Sequence, residues 1–450
     1  MPFRGVRYAP ARVGELANVT SPPYDVIGPG TLEHLRAASP YNIVGLILPE
    51  LERGPAERRP PSSPAADARA AGQLAAARLR DWLDDGVLAA DPSPALYVYE
   101  QRGPGYVQRG LIGLVQVGTT AIHPHEDVMP GPVAGRRELM AAVRGNLEPI
   151  LLVYNGGDGA GGHGGTAGPG PGPGTGTGTG DASVSKTSRL VDFTAEQRAP
   201  LACTVTDDGV THRLWALTDP AEHAAIAADL AARTALIADG HHRYAAYGEL
   251  RASMRGAGHS DGPWDYGLAF LVDADEYPLR LGPIHRVLPH LNPAEAARLA
   301  AQAFTVTELP GGLADALGRL ADAGRAGAAF LLAGRDGFRL LTRPDTDELA
   351  AAMPSGASSR WRALDASVMQ ELLFARLWSI KDNEHDVLIS HDAEEAVRLA
   401  VDTGGTAVLS NPMALAAVTD LAAQGERVPR KSTSFGPKPR TGLVLRTFDA

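Results

Sequence analysis

The sequence predicts a mixed α/β protein, of the α+β or α/β class with mixed sheets. Ala- and Leu-rich segments with helical spacing alternate with short apolar runs of strand length along the chain. Hydrophobic residues make up 44% of the 450 residues and charged residues 21%, which is a globular composition. No repeat of fixed period is visible, so a repeat architecture is not favoured.

The first part of the chain mixes the two kinds of element. Strands are predicted where apolar and β-branched residues cluster, and helices where apolar residues recur every three or four positions. The predicted strands are 41–48, 96–100, 109–117 and 150–154, and the helices are 65–83 and 137–144. The strands 96–100 and 109–117 are expected to form a hairpin.

The second part continues in the same way. The predicted strands are 203–206, 211–217, 235–238, 268–273, 330–332, 387–389, 407–409 and 443–445. The predicted helices are 220–232, 241–255, 292–304, 313–323, 366–379, 392–401 and 413–424.

A Gly-rich segment interrupts the pattern. Residues 156–181 are almost wholly Gly, Thr, Pro and Ala, a composition that cannot bury enough apolar surface to offset its conformational entropy. We expect a disordered insertion there, and a second flexible loop at 53–66. The insertion separates an N-terminal part of the α/β core, 1–155, from a central part, 182–291, and 292–450 forms a C-terminal α/β region.

Charge and cysteine content narrow the function classes. The formal net charge is −10, which argues against a nucleic-acid partner. Cys203 is the only cysteine, so no intrachain disulfide is possible. No apolar run reaches the roughly 18 residues of a membrane span, and no signal peptide is visible. We therefore expect a cytoplasmic protein without membrane or nucleic-acid partners, which leaves room for a small anion.

The strongest candidate site is a predicted strand-to-helix turn at Asp239, Gly240, His241, His242 and Arg243. The open N–H groups and positive dipole end of a helix bind anions, and a guanidinium suits phosphate oxygens. Asp239 could cap the helix or act as a base, and we expect Arg243 on an exposed helical turn. The alternative is a capped helix with surface histidines.

A second candidate lies upstream. His123, His125 and Glu126 lie within four residues, and Arg136 follows. Such a group could bind a metal, contact a phosphate or supply acid/base groups. No third well-spaced metal ligand follows, so no metal site is predicted, and a plain polar loop is the other alternative.

The third candidate is a C-terminal loop. The chain has four lysines, and two of them, Lys431 and Lys438, flank one eight-residue segment that contains Ser432 and Thr433. Ammonium and hydroxyl groups suit phosphate, whereas the alternative is a solvated basic tail. Weaker candidates for ligand contact are Tyr24 and Asp25 after a Pro-Pro pair, and His285 with Arg286.

Together these motifs resemble a bacterial family catalogued as domain of unknown function 1015, over residues 3 to about 446. The family's carboxylate before the Arg that follows Pro-His-Glu is replaced here by Gly135. The central turn is also similar to the phosphate-binding turn of the ParB/sulfiredoxin superfamily. The resemblance implies a ParB/sulfiredoxin-like core with elaborated N- and C-terminal α/β regions. The motifs are, in order, Pro-Pro-Tyr-Asp-Val, Pro-His-Glu, Asp-Gly-His-His-Arg-Tyr, His-Arg-Val and Lys-Ser-Thr-x-Phe-x-Pro-Lys.

The resemblance further implies a free-serine kinase or related phosphotransferase, with ATP, ADP or pyrophosphate as donor and Mg²⁺ as counter-ion. Asp239 or Glu126 would be the base, and His125, His241 or His242 would stabilise charge. A P-loop kinase is excluded because no Gly-x-x-x-x-Gly-Lys-Ser/Thr segment occurs. The alternatives are a nucleotide-binding regulatory protein resembling ParB, and a sulfiredoxin-like repair enzyme, for which His241 stands where a cysteine is needed. The oligomeric state is left open.

Overall fold

The computed structural model describes residues 1–49, 64–156, 184–381, 383 and 386–449. The predicted disordered insertion, apart from Gly156, and most of the predicted loop at 53–66 lie outside these residues. The described chain forms two compact units. Unit 1 contains Met1–His123, Val128–Pro278 and Pro437–Ala450, and unit 2 contains Pro124–Asp127 and Leu279–Gly436. The division proposed from sequence features at 155, 181 and 291 stays a prediction.

Unit 1 combines helices with a large mixed sheet. Its helices are α1 (Pro10–Val13), α2 (Pro29–Ala38), α3 (Val44–Ile47), α4 (Pro64–Asp84), α5 (Pro130–Val143), α6 (Lys186–Gln197), α7 (Pro220–Leu230) and α8 (His241–Gly256). Its strands are β1 (Val6–Tyr8), β2 (Leu88–Ala90), β3 (Leu96–Gly103), β4 (Tyr106–Gln116), β5 (Ile122–His123), β6 (Gly145–Asn146), β7 (Ile150–Tyr154), β8 (Ala202–Val205), β9 (Thr211–Leu217), β10 (Ala235–Asp239), β11 (Tyr266–Asp273) and a C-terminal strand at Arg446–Thr447.

Within the described residues, eight of these strands form one sheet in the order β5-β10-β7-β11-β4-β3-β9-β8. The pairs β5–β10 and β7–β11 are parallel, and the others are antiparallel. Helix α8 packs on this sheet because Ala246, Tyr247 and Leu250 join a buried apolar cluster with Ile150 and Ile237. The burial of this helix fixes the turn that connects it to β10.

Unit 2 is built mainly on an antiparallel sheet. Its helices are α9 (Pro293–Ala300), α10 (Leu313–Gly324), α11 (Thr346–Ala352), α12 (Ser359–Arg362), α13 (Asp365–Ser367), α14 (Ala393–Thr403) and α15 (Leu415–Ala423), with a π-helix at Val368–Leu377. Its strands are β12 (Arg280–Gly282), β13 (His285–Leu288), β14 (Thr305–Leu309), β15 (Phe330–Gly334), β16 (Gly337–Thr342), β17 (Leu388–Ser390), β18 (Thr406–Ser410) and β19 (Ser434–Gly436).

Six of the unit 2 strands follow the order β14-β16-β15-β18-β13-β17, and β12 pairs with β19. Every pair is antiparallel. Two apolar clusters pack in this unit; one contains Phe330 and Leu372, and the other contains Leu331 and Leu409. Strand β13 therefore has a partner on each side, which buries His285 and Arg286.

The mixed α/β class is confirmed, and two element predictions are wrong. Residues 41–48 were expected as a strand but contain α3, whose four residues are all buried. A short, fully apolar run has no periodicity that separates a buried helix from a strand. Residues 443–445 are not a strand; Leu445 forms an isolated bridge with Val6. In the part of the chain that is described, no helix has the length and apolarity needed to cross a bilayer.

Candidate functional site

The turn after β10 has a backbone that only glycine fits. Gly240 has φ +93° and stands immediately before α8. A Cβ atom at this position would lie 2.9 Å from Cγ2 of Ile150. Glycine is favoured in this region because it lacks the Cβ clash. The predicted strand-to-helix turn is therefore present, with Asp239 at the strand end and His241 in the first helical turn.

Arg243 is buried, so the expected exposed position is wrong. The residue is 1% exposed. Its Nη2 donates to Oδ2 of Asp239 at 2.5 Å, and its Nη1 donates to the carbonyl of Pro149 at 2.7 Å. Burial opposes the charge, but Glu148 and Asp239 outweigh it and the pKa of Arg243 is raised. The guanidinium is used inside the protein, where it orients the Asp239 carboxylate.

Lys438 approaches the other oxygen of Asp239. Its Nζ lies 2.6 Å from Oδ1 of Asp239 and 2.8 Å from Oδ2 of Asp25. The side chains of Lys438 and Asp25 are 17% and 24% exposed, more than that of Asp239. Burial opposes the charge, but both carboxylates outweigh it and the pKa of Lys438 is raised. We call Asp25, Asp239, Arg243 and Lys438 the Asp239 cluster.

Glu148 supports this cluster and was missed by sequence reasoning. Its Oε1 accepts the N–H of Tyr24 at 3.1 Å, and its Oε2 lies 4.0 Å from Nη1 of Arg136. Burial raises the pKa of Glu148 and raises that of Tyr24 to about 12. A charged residue two positions before the apolar strand β7 was the one available signal.

Arg136 lies beneath the Tyr24 ring. It is buried, donates to the carbonyl of Ile47 at 2.7 Å, and places its guanidinium carbon 4.3 Å from the ring centroid. The distance is typical of a cation–π contact. Arg136 thus contacts the Tyr24–Asp25 segment through the Tyr24 ring, and its predicted contact with phosphate stays a prediction.

The two histidines of the turn are half-buried. The Nε2 atom of His242 accepts the N–H of Met129 at 3.1 Å. This contact ties the first turn of α8 to the residue that precedes α5. His241 is equally half-buried at the start of α8. Both histidines lie in the first turn of α8, where the backbone N–H groups have no partner within the helix.

Unit 2 contains a separate group of predicted site residues, which we call the Glu126 cluster: His125, Glu126, Lys431 and Thr433. The buried His125 places Nε2 2.8 Å from the hydroxyl of Thr433. Oε1 of Glu126 accepts the N–H of Lys431 at 3.0 Å. Burial raises the pKa of Glu126, and this backbone hydrogen bond partly offsets it. The C-terminal loop thus folds back to a segment about 300 positions earlier in the chain.

Arg286 fixes the backbone of this loop. Its Nη2 donates to the carbonyl of Lys431 at 2.8 Å and that of Arg430 at 3.3 Å. Ser432 donates its hydroxyl to the carbonyl of Pro429. Lys431 adopts φ +54°, an uncommon value for a residue with a side chain. Among the residues that the structure describes, the Lys431 ammonium has no hydrogen bond or ion pair.

His285, the sequence neighbour of Arg286, is also buried. Its Nδ1 accepts the N–H of Ser410 at 3.3 Å. Burial lowers the pKa of His285 to about 4. Its ring is therefore neutral at physiological pH and, like Arg286, is part of the packed interior. Over the described ranges no group of three or more His, Cys, Asp or Glu side chains is arranged to hold a metal ion.

The fold and the site define a mixed α/β protein with a buried ionic cluster at a strand-to-helix turn. The chain belongs to the family described as "Protein of unknown function (DUF1015)", whose model matches residues 1–160 and 179–367. The family resemblance is thereby confirmed, with four of the five motifs inside the matched residues. No curated protein sequence matches the chain.

Several solved structures are similar to the chain at low identity. Free serine kinase in complex with AMP is 14% identical, with 76% of this chain and 94% of that chain covered and a TM-score of 0.34. A mutant of free serine kinase in complex with ADP is 13% identical, with coverages of 76% and 95% and a TM-score of 0.36. A conserved hypothetical protein from Pyrococcus furiosus is 12% identical, with coverages of 77% and 98% and a TM-score of 0.37. These values describe a weak likeness in fold, and the similarity to the ParB/sulfiredoxin turn stays a prediction.

Proposed function

We propose that this chain is a phosphotransferase that acts on a small hydroxyl compound, with L-serine as the first acceptor to test. The donor is a nucleotide or pyrophosphate. The proposal rests mainly on the Asp239–Gly240 turn. There the N-terminus of a 16-residue helix and the partly exposed ammonium of Lys438 lie next to the Asp239 carboxylate. Phosphoryl transfer depends mainly on positioning and charge stabilisation, which such a site supplies.

In this proposal the donor phosphates bind at the start of α8, around Gly240, His241 and His242. Helix N-termini present N–H groups and a positive dipole end to anions. Lys438 is the accessible cation of the Asp239 cluster and moves from Asp25 toward a phosphate oxygen. Arg243 and Arg136 act indirectly because both are buried and orient other groups.

Mg²⁺ is proposed as the counter-ion of the donor phosphates, whose charge it neutralises when bound. Asp25 and Asp239 fit a cation because their carboxylates already approach one ammonium from two sides. Asp25 is the more exposed of the two and is the proposed protein group that faces the ion. Lys431 and Thr433 of unit 2 stay proposed contacts for a phosphorylated ligand.

Two carboxylates are candidates for the base. Asp239 lies at the turn itself, and each of its oxygens contacts a cation. Burial raises the pKa of Glu126, and a base works best when its pKa approaches the operating pH. Asp239 of unit 1 and Glu126 of unit 2 therefore both stay candidates for the proton acceptor.

The second candidate function is a nucleotide-binding regulatory protein without catalysis. One observation favours it: each oxygen of Asp239 already contacts a cation, so the turn could bind an anion without supplying a base. The two functions differ in one readout, since only the enzyme makes product.

Product detection separates these functions. Purified protein is incubated with L-serine and, in separate reactions, ATP, ADP or pyrophosphate with Mg²⁺, and O-phosphoserine is measured by mass spectrometry. The proposal expects product with at least one donor, and much less product from Glu126→Gln than from the matched control Asp127→Asn. Donor binding without product would support the regulatory function. Neither binding nor product with any donor would overturn both.

A further inference from the structure

Unit 1 contains a cavity between its large sheet and helix α7. The cavity has a volume of about 330 Å³, and its lining residues come mainly from the strands of the sheet and from α7. Protein interiors are close-packed, so a space of this size is not ordinary packing between a helix and a sheet. It falls within the size range of small-molecule pockets, which begins at about 300 Å³.

The floor of the cavity is apolar because one face of the sheet carries a row of leucines. Leu111 of β4 and Leu152 of β7 each lie beside Leu271 of β11 in the strand register. Neighbouring residues across a sheet point to the same face, so the three side chains form one continuous row. Leu271 is half-buried, although its strand has a partner on each side. Its partial exposure shows that the space above the row is open to solvent.

Helix α7 and the residue after it form the opposite wall. His223, Ile226, Ala227, Leu230 and Ala231 line the cavity. Their i, i+3, i+4, i+7, i+8 spacing places them on one face of the helix. Such a face normally packs on a sheet, but Ile226 is the one residue of α7 that is buried. The inner face of α7 therefore borders the cavity.

Contacts at both ends hold α7 in this position. Near its start, Nε2 of His223 donates to the last carbonyl of β9 at 2.7 Å. Near its end, Asp229 accepts the backbone N–H of Thr187 at 3.0 Å, and Arg233 donates to the carbonyl of Asn155 at 2.8 Å. The helix is thus tied to β9, to α6 and to the end of β7. It cannot settle onto the sheet without breaking these contacts, so the cavity is preformed.

The charged groups of the lining are already engaged. Arg233 is the one charged side chain among the described lining residues, and it donates to Oδ1 of Asp229 at 3.1 Å. The amino group of Met1 donates to the carbonyl of Leu114, and burial lowers its pKa to about 6. The other polar side chains of the lining carry an amide, a hydroxyl or an imidazole: Gln116, Thr119 and His223.

From this geometry we propose that the cavity is a binding site for an uncharged small molecule with a mainly hydrocarbon body. The leucine row and the inner face of α7 remove its apolar surface from water, which is favourable in proportion to the area buried. The amide, hydroxyl and imidazole groups orient its polar atoms. A charged molecule is disfavoured because it would lose hydration without gaining an opposite charge. The proposal does not depend on the phosphotransferase function.

Fluorescence titration of the full chain with N-phenyl-1-naphthylamine, an uncharged apolar probe, tests the site. The wild type should bind the probe saturably. Ala227→Phe and Ala231→Phe each place a ring in the cavity, so both should bind the probe at least about tenfold more weakly, since the ring takes the space that the probe needs. Ala228→Phe is the matched control, because Ala228 is an exposed residue of the same helix that does not line the cavity. It should bind like the wild type.

A second measurement uses the wild type alone and stays decisive if a wall variant does not fold. The negatively charged probe 1-anilinonaphthalene-8-sulfonate should bind more weakly than the uncharged probe. The uncharged probe should also raise the melting temperature, since a ligand of the folded state stabilises it. The proposal is overturned if the wild type shows no saturable binding, if the wall variants bind like Ala228→Phe, or if the sulfonate binds as tightly as the uncharged probe.

Discussion

The Asp239 cluster of unit 1 and the Glu126 cluster of unit 2 both join segments far apart in the sequence, but they hold their carboxylates differently. Asp239 contacts the side-chain cations Arg243 and Lys438. Glu126 instead accepts a backbone N–H from Lys431. Burial raises the pKa of Glu126, and the Lys431 N–H and the nearby charges of Lys431, Arg286 and Arg430 only partly offset this. The two carboxylates are therefore held by different kinds of contact, side-chain cations at Asp239 and a backbone N–H at Glu126.

The arginines follow the same contrast. Arg243 is buried against a carboxylate, while Arg286 donates to the backbone carbonyls of Lys431 and Arg430. Removing one member of a buried ion pair leaves an uncompensated charge, which is more costly than losing neutral acceptors. The two guanidiniums therefore offer a direct experimental comparison between the clusters.

The largest expected effect is on stability. Arg243→Ala should lower the free energy of unfolding by about 3–5 kcal/mol, because Asp239 loses one of its two cations inside the protein. Arg286→Ala should cost about 1.5–3 kcal/mol, the range for hydrogen bonds that involve a charged group. Denaturant titration of both variants measures the difference. An equal or larger loss in Arg286→Ala would show that the ion-pair contrast is wrong.

A smaller effect concerns acid sensitivity, where each unit contributes one buried histidine. Burial lowers the pKa of His212 in unit 1, and of His285 in unit 2, to about 4 from the usual 6.5. The unfolded chain takes up protons first as the pH falls, so stability is lost from about pH 6.5 downward. Between about pH 7 and pH 5 each histidine should account for about 2 kcal/mol.

Substitution identifies these two contributions. His212→Gln and His285→Gln should each flatten the acid decline in denaturant midpoints by a similar amount. A decline unchanged in both variants would mean that neither ring is held neutral. A change confined to one variant would locate the acid-sensitive interior in that unit.

The smallest expected effect is the pH dependence contributed by Glu126. Its folded-state pKa is raised above the ordinary 4.5, so the folded state binds more protons in that window and stability falls as pH rises through it. Glu126→Gln should remove this decline, whereas the neighbouring exposed Asp127→Asn should leave it. If the stability of Glu126→Gln depends on pH in the same way as that of the wild type, Glu126 does not contribute the expected proton uptake.

Local patterns predicted the elements well but could not predict the contacts between them. The turn at Asp239–Gly240 was visible because a short apolar strand, a glycine and a helix start occur within ten residues. The approach of Lys438 to Asp25 was not, since it joins positions 413 residues apart. The scarcity of lysine pointed to the residue without indicating its partner.

Burial of charge was the main error of sequence reasoning. Arg243 was expected on an exposed helical turn, and Arg136 and Arg286 were named as ligand contacts, yet all three are buried. Each is compensated by acceptors from distant segments, which only the folded chain reveals. Glu148 escaped notice for the same reason, as its partners Tyr24 and Arg136 are not its sequence neighbours.

The central claim is that the turn after β10 binds phosphate with the help of Lys438, and calorimetric titration tests it most directly. Wild-type protein is titrated with pyrophosphate and with ADP, and compared with Lys438→Met and with Lys186→Met, an exposed lysine of the same unit. A charge-assisted contact contributes roughly 1.5–3 kcal/mol, so Lys438→Met should bind at least about tenfold more weakly. Lys186→Met should bind like the wild type. Equal affinity in Lys438→Met, in a protein that remains folded, would contradict the claim.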